Sequence, residues 1–351
     1  MKHSSPAPNP YCPDYLVCQF HMTNQCNGRC LHCYQNDYTD NDASLDSLLF
    51  MVHQIRDLID TCRTLSGRRS FKAHLTLTGG EPFLHPELMQ LVEIISGFRE
   101  VCSFSILTNG TLITPALAAR LRTYGPAYVQ VSVEGDRRTH DHIRGQGAYD
   151  AAMSGIRNLK KHRIPVSISF SAHRKNYTCF PDVVRACTRL KVDRIWADRF
   201  VPLGDGPDQM NWVLGRAHTR TFFHTMYREQ QRNRRSWFRK SRVAMHRALQ
   251  FLEGGGKPYA CTAGACLITI MPNGDVYPCR RMPVSVGNVH ETVLSQIYLA
   301  SPFLRTLRDK QRVPDECMTC FYAPYCRGGL RCLSRAVTGD PFTRDPDCYI
   351  L

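Results

Sequence analysis

No stretch of the 351-residue chain approaches the roughly eighteen consecutive apolar residues of a membrane span. The polar, proline-bearing start from Met1 to Pro10 lacks the apolar core of a secretory signal. A cytoplasmic protein with no membrane partner is expected. Internal repeats and low-complexity tracts are missing, and 43% hydrophobic residues exclude disorder as the main state. Acidic residues are scarce: 30 Asp and Glu face 45 Lys and Arg, for a formal net charge of +15. Cysteine is sparse in the middle of the chain, where only Cys62, Cys102, Cys179 and Cys187 occur. Most of the 17 thiols crowd into two segments, Cys26 to Cys33 and Cys261 to Cys348. In a reducing compartment, thiols at that density are metal ligands or catalytic groups more often than disulfides.

Between the two cysteine-rich ends, short β-branched runs alternate with helical patterns. Strands are expected at Leu16 to Met22, Ala73 to Thr78, Ser103 to Thr108, Tyr128 to Val133, Val166 to Ser171 and Arg194 to Val201. The segments between them carry apolar residues at three- and four-residue spacing, as in Leu45, Leu48, Leu49, Val52, Ile55 and Ile59. This succession implies an α/β fold, a parallel sheet or partial (β/α)6 barrel with helices outside, whose chemistry sits at the C-terminal ends of the strands. The expected organisation is a tail over 1–14, the barrel over 15–204, a basic helical segment over 205–253 and a cysteine-rich domain over 254–351. Within the third of these, Arg216 to Arg247 holds ten Lys or Arg residues and a single acid, Glu229. The fourth shows helical periodicity only around Glu291 to Lys310. Little apolar core is expected there, so metal sites are expected to hold it together.

The loop after the first strand reads Cys26-Asn27-Gly28-Arg29-Cys30-Leu31-His32-Cys33. Three thiolates at this spacing can hold three irons of a 4Fe-4S cube and leave the fourth iron open to a small molecule. Zinc is the alternative, with His32 as a further ligand. The next strand ends carry Thr78-Gly79-Gly80-Glu81-Pro82, then Thr108-Asn109-Gly110-Thr111, then Ser132 and Glu134 with Arg144 ten residues on. Glycines let backbone approach a ligand, Glu81 can accept from an ammonium group, and Arg144 suits a carboxylate. Singly each is an ordinary turn; together they outline a site for an amino acid bearing a ribose.

On these residues the chain resembles the radical S-adenosylmethionine (SAM) enzymes, whose C-x3-C-x2-C loop matches Cys26, Cys30 and Cys33 and whose GGEP motif matches Gly79 to Pro82. The likeness runs from about Leu16 to Gly204. It implies a cluster whose open iron is chelated by the amino and carboxylate groups of SAM, with reductive cleavage to methionine and a 5′-deoxyadenosyl radical that abstracts a substrate hydrogen. It also implies that Gly79, Gly80 and Glu81 hold the methionine amino group, that Ser132 and Arg144 hold its carboxylate, and that Asn109 or Glu134 lies near the ribose. His32 falls where the backbone meets adenine.

The tail thiols run Cys261-x4-Cys266-x12-Cys279, then Cys317-x2-Cys320-x5-Cys326-x5-Cys332, then Cys348. With Gly274 and Tyr277-Pro278-Cys279 in place, they resemble the SPASM extension of peptide-modifying members of the same family. Five residues separate Cys326 from Cys332 where that pattern usually has three. The resemblance implies two auxiliary 4Fe-4S clusters, for three in all. Cys261, Cys266, Cys279 and Cys332 would hold one, and Cys317, Cys320, Cys326 and Cys348 the other. Zinc in a ribbon-like tail is the alternative. Cys18, Cys62, Cys102, Cys179 and Cys187 read as small core residues.

Auxiliary clusters of this type accompany oxidation of a peptide or protein side chain, which makes a peptide- or protein-modifying enzyme of the ribosomal peptide maturase type the leading reading. Gln19-Phe20-His21, Ser171-Ala172-His173-Arg174, Trp196-Ala197-Asp198-Arg199 and the run from Gly254 to Tyr259 resemble maturases proposed to make thiazole- or selenazole-type modifications, a resemblance that implies cysteine or selenocysteine at the modified position. The alternatives are tetrapyrrole or other small-molecule modification, anaerobic sulfatase maturation, and a non-enzymatic metal scaffold for acidic partners. In the sulfatase maturases an aspartate base follows the last cysteine of the first tail group. Here Arg280 and Arg281 follow Cys279, which argues against formylglycine formation. Asp198 is a candidate base, or else a salt-bridge partner of Arg194 or Arg199. Only 25 residues precede Cys26, so a leader-recognition domain is not expected at that end. The Arg216 to Arg247 stripe is then a candidate surface for an acidic leader or for a flavodoxin or ferredoxin electron donor. Nucleic acid would suit the charge, but no RNA-binding module is present.

Overall fold

The computed structural model describes residues 11–39, 42–67, 71–204, 209–235 and 241–350. Gly206, Arg239, Lys240 and the first ten residues of the expected tail lie outside them. Nine strands form one sheet: β1 Tyr15–His21, β2 Lys72–Thr78, β3 Cys102–Thr108, β4 Tyr128–Ser132, β5 Val166–Ala172, β6 Arg194–Arg199, β7 Arg242–Ala244, β8 Leu267–Ile270 and β9 Val276–Tyr277. Their order is β7-β6-β5-β4-β3-β2-β1-β8-β9, parallel throughout except for the antiparallel pair β8 and β9. The first six coincide with the expected strands to within two residues at either end, and the α/β architecture is as the sequence implies.

The helix Leu45–Ser66 shows why these segments fold as they do. Ser44 caps its first turn by accepting from Ser47 N, and Gly67 ends it at φ 61°, a conformation open to glycine. Between those caps Leu48, Met51, Ile55, Leu58 and Cys62 form a buried stripe at helical spacing, which fixes the helix against the sheet. The strands obey the two-residue period. In β3, Phe104 and Ile106 join the core under the helices, while Ser103 and Ser105 face the other way and meet both ring nitrogens of His74. Gln19, Thr76, Gln130, Ser132, Ser169 and Trp196 likewise face inward. A barrel wall with a polar inner face encloses ligand space in place of a packed core.

Two expectations need correction. The segment taken as wholly helical divides: the helix Gly215–Arg234 buries Phe222, Phe223 and Met226, and the chain then returns to the sheet as β7. The basic stripe divides with it, since Arg216, Arg220, Arg228 and Arg232 are exposed on the helix whereas Arg247 turns into the barrel. The tail also has a real apolar core. Ile268, Ile270, Met282, Leu294, Leu304 and Leu333 are buried in one cluster with the barrel residues. The reason is that β8 pairs in parallel with β1, from Val17 against Leu267 to Phe20 against Ile270, so the tail continues the barrel sheet. Its helices Leu294–Ala300 and Pro302–Arg308 lie in the expected periodic stretch, and the helix Arg331–Thr338 was too short to show a pattern.

A buried ion network fastens the opposite side of the tail. Arg199, at the end of β6, grips Asp345 with both terminal nitrogens at 2.7 and 2.6 Å and reaches Asp347 at 3.2 Å; all three are about 1% exposed. Thr219 Oγ1 donates to Asp347, and Leu330 N to Asp345. Of the expected core thiols, Cys18, Cys62, Cys102 and Cys187 are buried, whereas Cys179 is partly exposed beside the Thr139 hydroxyl. No helix among the described residues is long and apolar enough to cross a membrane.

Candidate active site

One cavity of about 410 Å³ runs through the barrel. Cys26, Cys30 and Cys33 line its upper end, where the strands finish, and Tyr15, Tyr128 and Arg194, the first residues of β1, β4 and β6, line its lower end. The cysteine loop is anchored from several sides. Leu31 N donates to Ile143 O and Gln209 Nε2 to Cys33 O, while Gly80 N and Glu81 N donate to Thr23 O and Gln25 O at 2.8 Å each. These last two bonds explain the glycines. A Cβ on Gly79 would lie 2.6 Å from Thr23 O, and one on Gly80 would lie 2.2 Å from Gln25 O. The close approach is therefore between this turn and the cysteine loop, with Gly79 and Gly80 also on the cavity wall.

Glu81 differs from its expected role. Its carboxylate is fully buried, accepts from Thr108 Oγ1 at 2.7 Å and Asn109 N at 2.8 Å, and is not part of the cavity wall. Burial pushes its pKa up to about 7 against the pull of those donors. It acts as a strap between the ends of β2 and β3. The Asn109 side chain is engaged similarly, donating to Asn27 Oδ1 and accepting from Thr111 N. Ser132 faces the cavity beside Ser169.

Glu134 and Arg144 form one unit with the loop. Arg144 Nη2 lies 2.6 Å from Glu134 Oε1, Arg144 Nη1 is 3.7 Å from Cys30 Sγ, and His32 Nε2 stands 3.2 Å from the same Glu134 oxygen. Ser171 N donates to the other oxygen. Burial opposes the charge on Glu134, but Arg144 and then His32 outweigh it and hold the carboxyl well below its usual range. The positive end of this unit faces the thiols. Burial raises the pKa of Cys30, and Arg144 pulls it back toward the thiolate that a metal requires.

The matches to known proteins agree with this geometry. Residues 20–185 match the Radical SAM superfamily, and residues 261–321 match SPASM, an iron-sulfur cluster-binding domain. The chain carries a radical SAM domain and a SPASM domain. Curated relatives include the pre-heme d1 synthase of Dinoroseobacter shibae, 27% identical over 94% of this chain and 85% of that one. They also include the mycofactocin maturase MftC of Mycolicibacterium smegmatis, 27% identical over 95% of this chain and 83% of that one. Among solved structures, SuiB of Streptococcus suis bound to S-adenosylmethionine superposes with a TM-score of 0.74 at 18% identity, covering 97% of this chain and 78% of that one. The enzyme anSMEcpe with bound AdoMet and a peptide gives 0.75 at 18%, covering 95% and 94%.

The two domains imply 4Fe-4S clusters and SAM, and the donors fit them. All 17 thiols are free of disulfides, and the three of the radical SAM loop share one cavity wall. In the SPASM domain Cys317, Cys320, Cys326 and Cys348 line a second, small cavity. Cys332 is raised by burial and then by the neighbouring Cys279 and Cys261 thiols, although Arg281 pulls the other way, which puts three of the expected first auxiliary group together. Cys266 stands on the central cavity wall beside the Tyr11 hydroxyl, on the barrel side of that group. Among the described residues no three Cys, His, Asp or Glu side chains converge on the point a single metal ion would occupy.

Asp198 faces the cavity as expected but is a weak base. Its Oδ2 lies 2.7 Å from Arg281 Nη2 and 3.3 Å from Arg247 Nε, not on the Arg194 or Arg199 side chains, and Oδ1 accepts from Arg199 N. Burial works against ionisation, yet Arg281 and Arg247 hold its pKa at about 2. A depressed carboxyl of this kind contributes stability above its unfolded pKa, on the order of 2 kcal/mol, which is lost as pH falls toward the folded value. Asp198→Asn is therefore expected to lower urea stability at pH 7 and to do so much less near pH 2. An equal loss at both pH values would refute the ion-pair role. Arg194, Arg247 and Arg281 also line the cavity; only the inward parity of Arg194, Trp196 and Asp198 in β6 signalled any of them in the sequence.

Proposed function

We propose that the protein is a radical SAM oxidoreductase that modifies a side chain of a peptide or protein, with three 4Fe-4S clusters. The first would be held by Cys26, Cys30 and Cys33, and two auxiliary clusters by the eight SPASM cysteines grouped as above. The observation that carries this reading is the single cavity that joins the radical SAM loop to the lower mouth of the barrel, with a wall completed by Thr262, Cys266, Cys279, Arg280 and Arg281 of the tail. Its mixed polar and apolar lining, with hydroxyl, amide and guanidinium groups among aromatic rings, suits a peptide chain reaching the reacting end. Bound cluster and SAM together supply one-electron cleavage of the sulfonium and a hydrogen-abstracting species. The chain supplies the rest. The backbone of Gly79 and Gly80 and the hydroxyl of Ser132 border the space for the methionine portion, while Arg144, held by Glu134 and 3.7 Å from Cys30 Sγ, steadies the loop.

Solved proteins of this fold include anSMEcpe bound to a peptide and SuiB bound to its precursor peptide SuiA, which supports a peptide substrate. With Arg280 in the cavity and Asp198 locked in ion pairs, formylglycine formation lacks a base at either place. A second reading, a tetrapyrrole substrate, draws support from relatives such as the pre-heme d1 synthase. Anaerobic reconstitution is expected to load about twelve irons per chain. Cys30→Ala is expected to abolish 5′-deoxyadenosine formation with dithionite while leaving the fold intact by circular dichroism. A short cysteine-containing peptide encoded beside the gene is expected to change mass under turnover. An unchanged peptide, with a porphyrin consumed in its place, would transfer the proposal to the second reading.

A further inference from the structure

Five arginines line the central cavity, Arg144, Arg194, Arg247, Arg280 and Arg281, against two carboxylates, Glu134 and Asp198. Both carboxylates are engaged: Glu134 by Arg144, and Asp198 by Arg247 and Arg281. Among the described residues, Arg194 and Arg280 have no carboxylate partner. Arg194 lies at the lower mouth and touches the His246 ring. Arg280 lies at the reacting end.

The surroundings of Arg280 are those of a prepared anion site. It follows Cys279 directly, and its Nη1 donates to Thr78 Oγ1 at 2.7 Å, the residue before Gly79. Its guanidinium carbon sits 5.3 Å from the centre of the Tyr34 ring, the residue after Cys33. The Thr78 hydroxyl and the Tyr34 side chain, through its ring face and a hydrogen bond, hold the planar fork in place, and among the described residues no carboxylate meets it. A guanidinium in a partly buried cavity is costly unless an anion completes it, and its fork matches a carboxylate through two parallel hydrogen bonds. The side chain also reaches into the barrel from the tail, on the wall made by β1, β2 and β8, away from the Arg144 side where Ser132 stands. That separation distinguishes it from the place expected for the carboxylate of SAM.

We propose that Arg280 binds a carboxylate of the substrate and so holds the carbon chain bearing it beside the Cys26, Cys30 and Cys33 loop. This rests on the reading of the cavity as a radical SAM substrate site. The carboxylate can belong to a peptide, at its terminus or on a side chain, or to a tetrapyrrole propionate; the chemistry at Arg280 is the same.

The test is equilibrium binding to the reconstituted holoenzyme with SAM. One probe pair is the gene-neighbour peptide as the free acid and with its carboxylates converted to amides; the other is coproporphyrin III and its tetramethyl ester. The wild type is expected to favour the acid form of at least one pair by about tenfold or more. Arg280→Gln is expected to erase that preference and Arg280→Lys to keep part of it. Arg120→Gln, exposed on the helix Pro115–Tyr124, is expected to retain it in full, which separates local binding from general charge. Preference in the porphyrin pair alone supports the Arg280 site while removing the peptide as substrate. The proposal is overturned if the wild type binds acid and blocked forms of both pairs alike, if Arg280→Gln keeps the preference, or if that variant loses SAM cleavage and so assigns Arg280 to the cofactor.

Discussion

Replacing Gly80 with alanine is expected to disable SAM cleavage through a single added methyl group. The new Cβ would lie 2.2 Å from Gln25 O and 2.8 Å from both Asn24 O and Gln25 C, all of them backbone atoms of the loop that leads into Cys26. No flexible side chain is available to yield. Gly80 is not among the glycines with positive φ, so alanine meets no backbone penalty and the effect is steric alone. Relief requires the loop to retreat, which breaks the bonds from Gly80 N to Thr23 O and from Glu81 N to Gln25 O. Stability is expected to fall by about 1–3 kcal/mol, the usual result of overpacking. The functional loss is larger, because a displacement of about 1 Å in a reacting centre costs about a hundredfold in rate. The measurements are iron content and 5′-deoxyadenosine formation for Gly80→Ala beside Gly97→Ala, a helix-end glycine whose added Cβ meets only Ile94 O at 3.2 Å. Equal activity in the two variants would show that the turn does not set the loop.

Removing the carboxylate of Asp345 is expected to give the largest loss of stability. Asp345→Ala leaves the Arg199 guanidinium, about 1% exposed, with Asp347 at 3.2 Å as its one carboxylate partner among the described residues. Breaking a buried pair in this way costs about 3–5 kcal/mol, since the remaining charge stays desolvated. The same change frees Leu330 N and Asp347 N, which donate to Asp345. Those bonds hold the segment after Cys326 and the one before Cys348, so the cavity of four thiols is expected to lose the cluster proposed for it, about four irons per chain. Substrate-free SAM cleavage persists, because the radical SAM loop shares none of these contacts. A melting temperature unaltered in Asp345→Ala would refute the network.

The six parallel strands and the thiol loops were legible because each rests on a local signal: a two-residue period, a helical stripe such as Leu48 to Cys62, or a fixed cysteine spacing. What was illegible depends on partners distant in the chain. Arg199 reads as one more basic residue until Asp345 is placed beside it. β7 and β8 are short and take their identity from the edges of β6 and β1, not from their own composition. Gly79 and Gly80 were marked for approach to a ligand, and the group that packs against them in the structure is the cysteine loop. Glu81 and Asp198 show the same limit in charge. The sequence marks each as an acid at a strand end, and only burial and neighbours turn the first into a strap near pKa 7 and the second into an anion near 2.

The pairing of β8 with β1 has a consequence for any shortened form of the protein. A chain ending near residue 253 would lose more than the tail cysteines, because the β1 segment Val17 to Phe20 would present its row of N–H and C=O groups to solvent. Such an uncovered margin, flanked by the apolar Leu16, Phe20 and Met22, invites self-association with further copies. Insolubility of that fragment would report a missing neighbour strand and says nothing about iron.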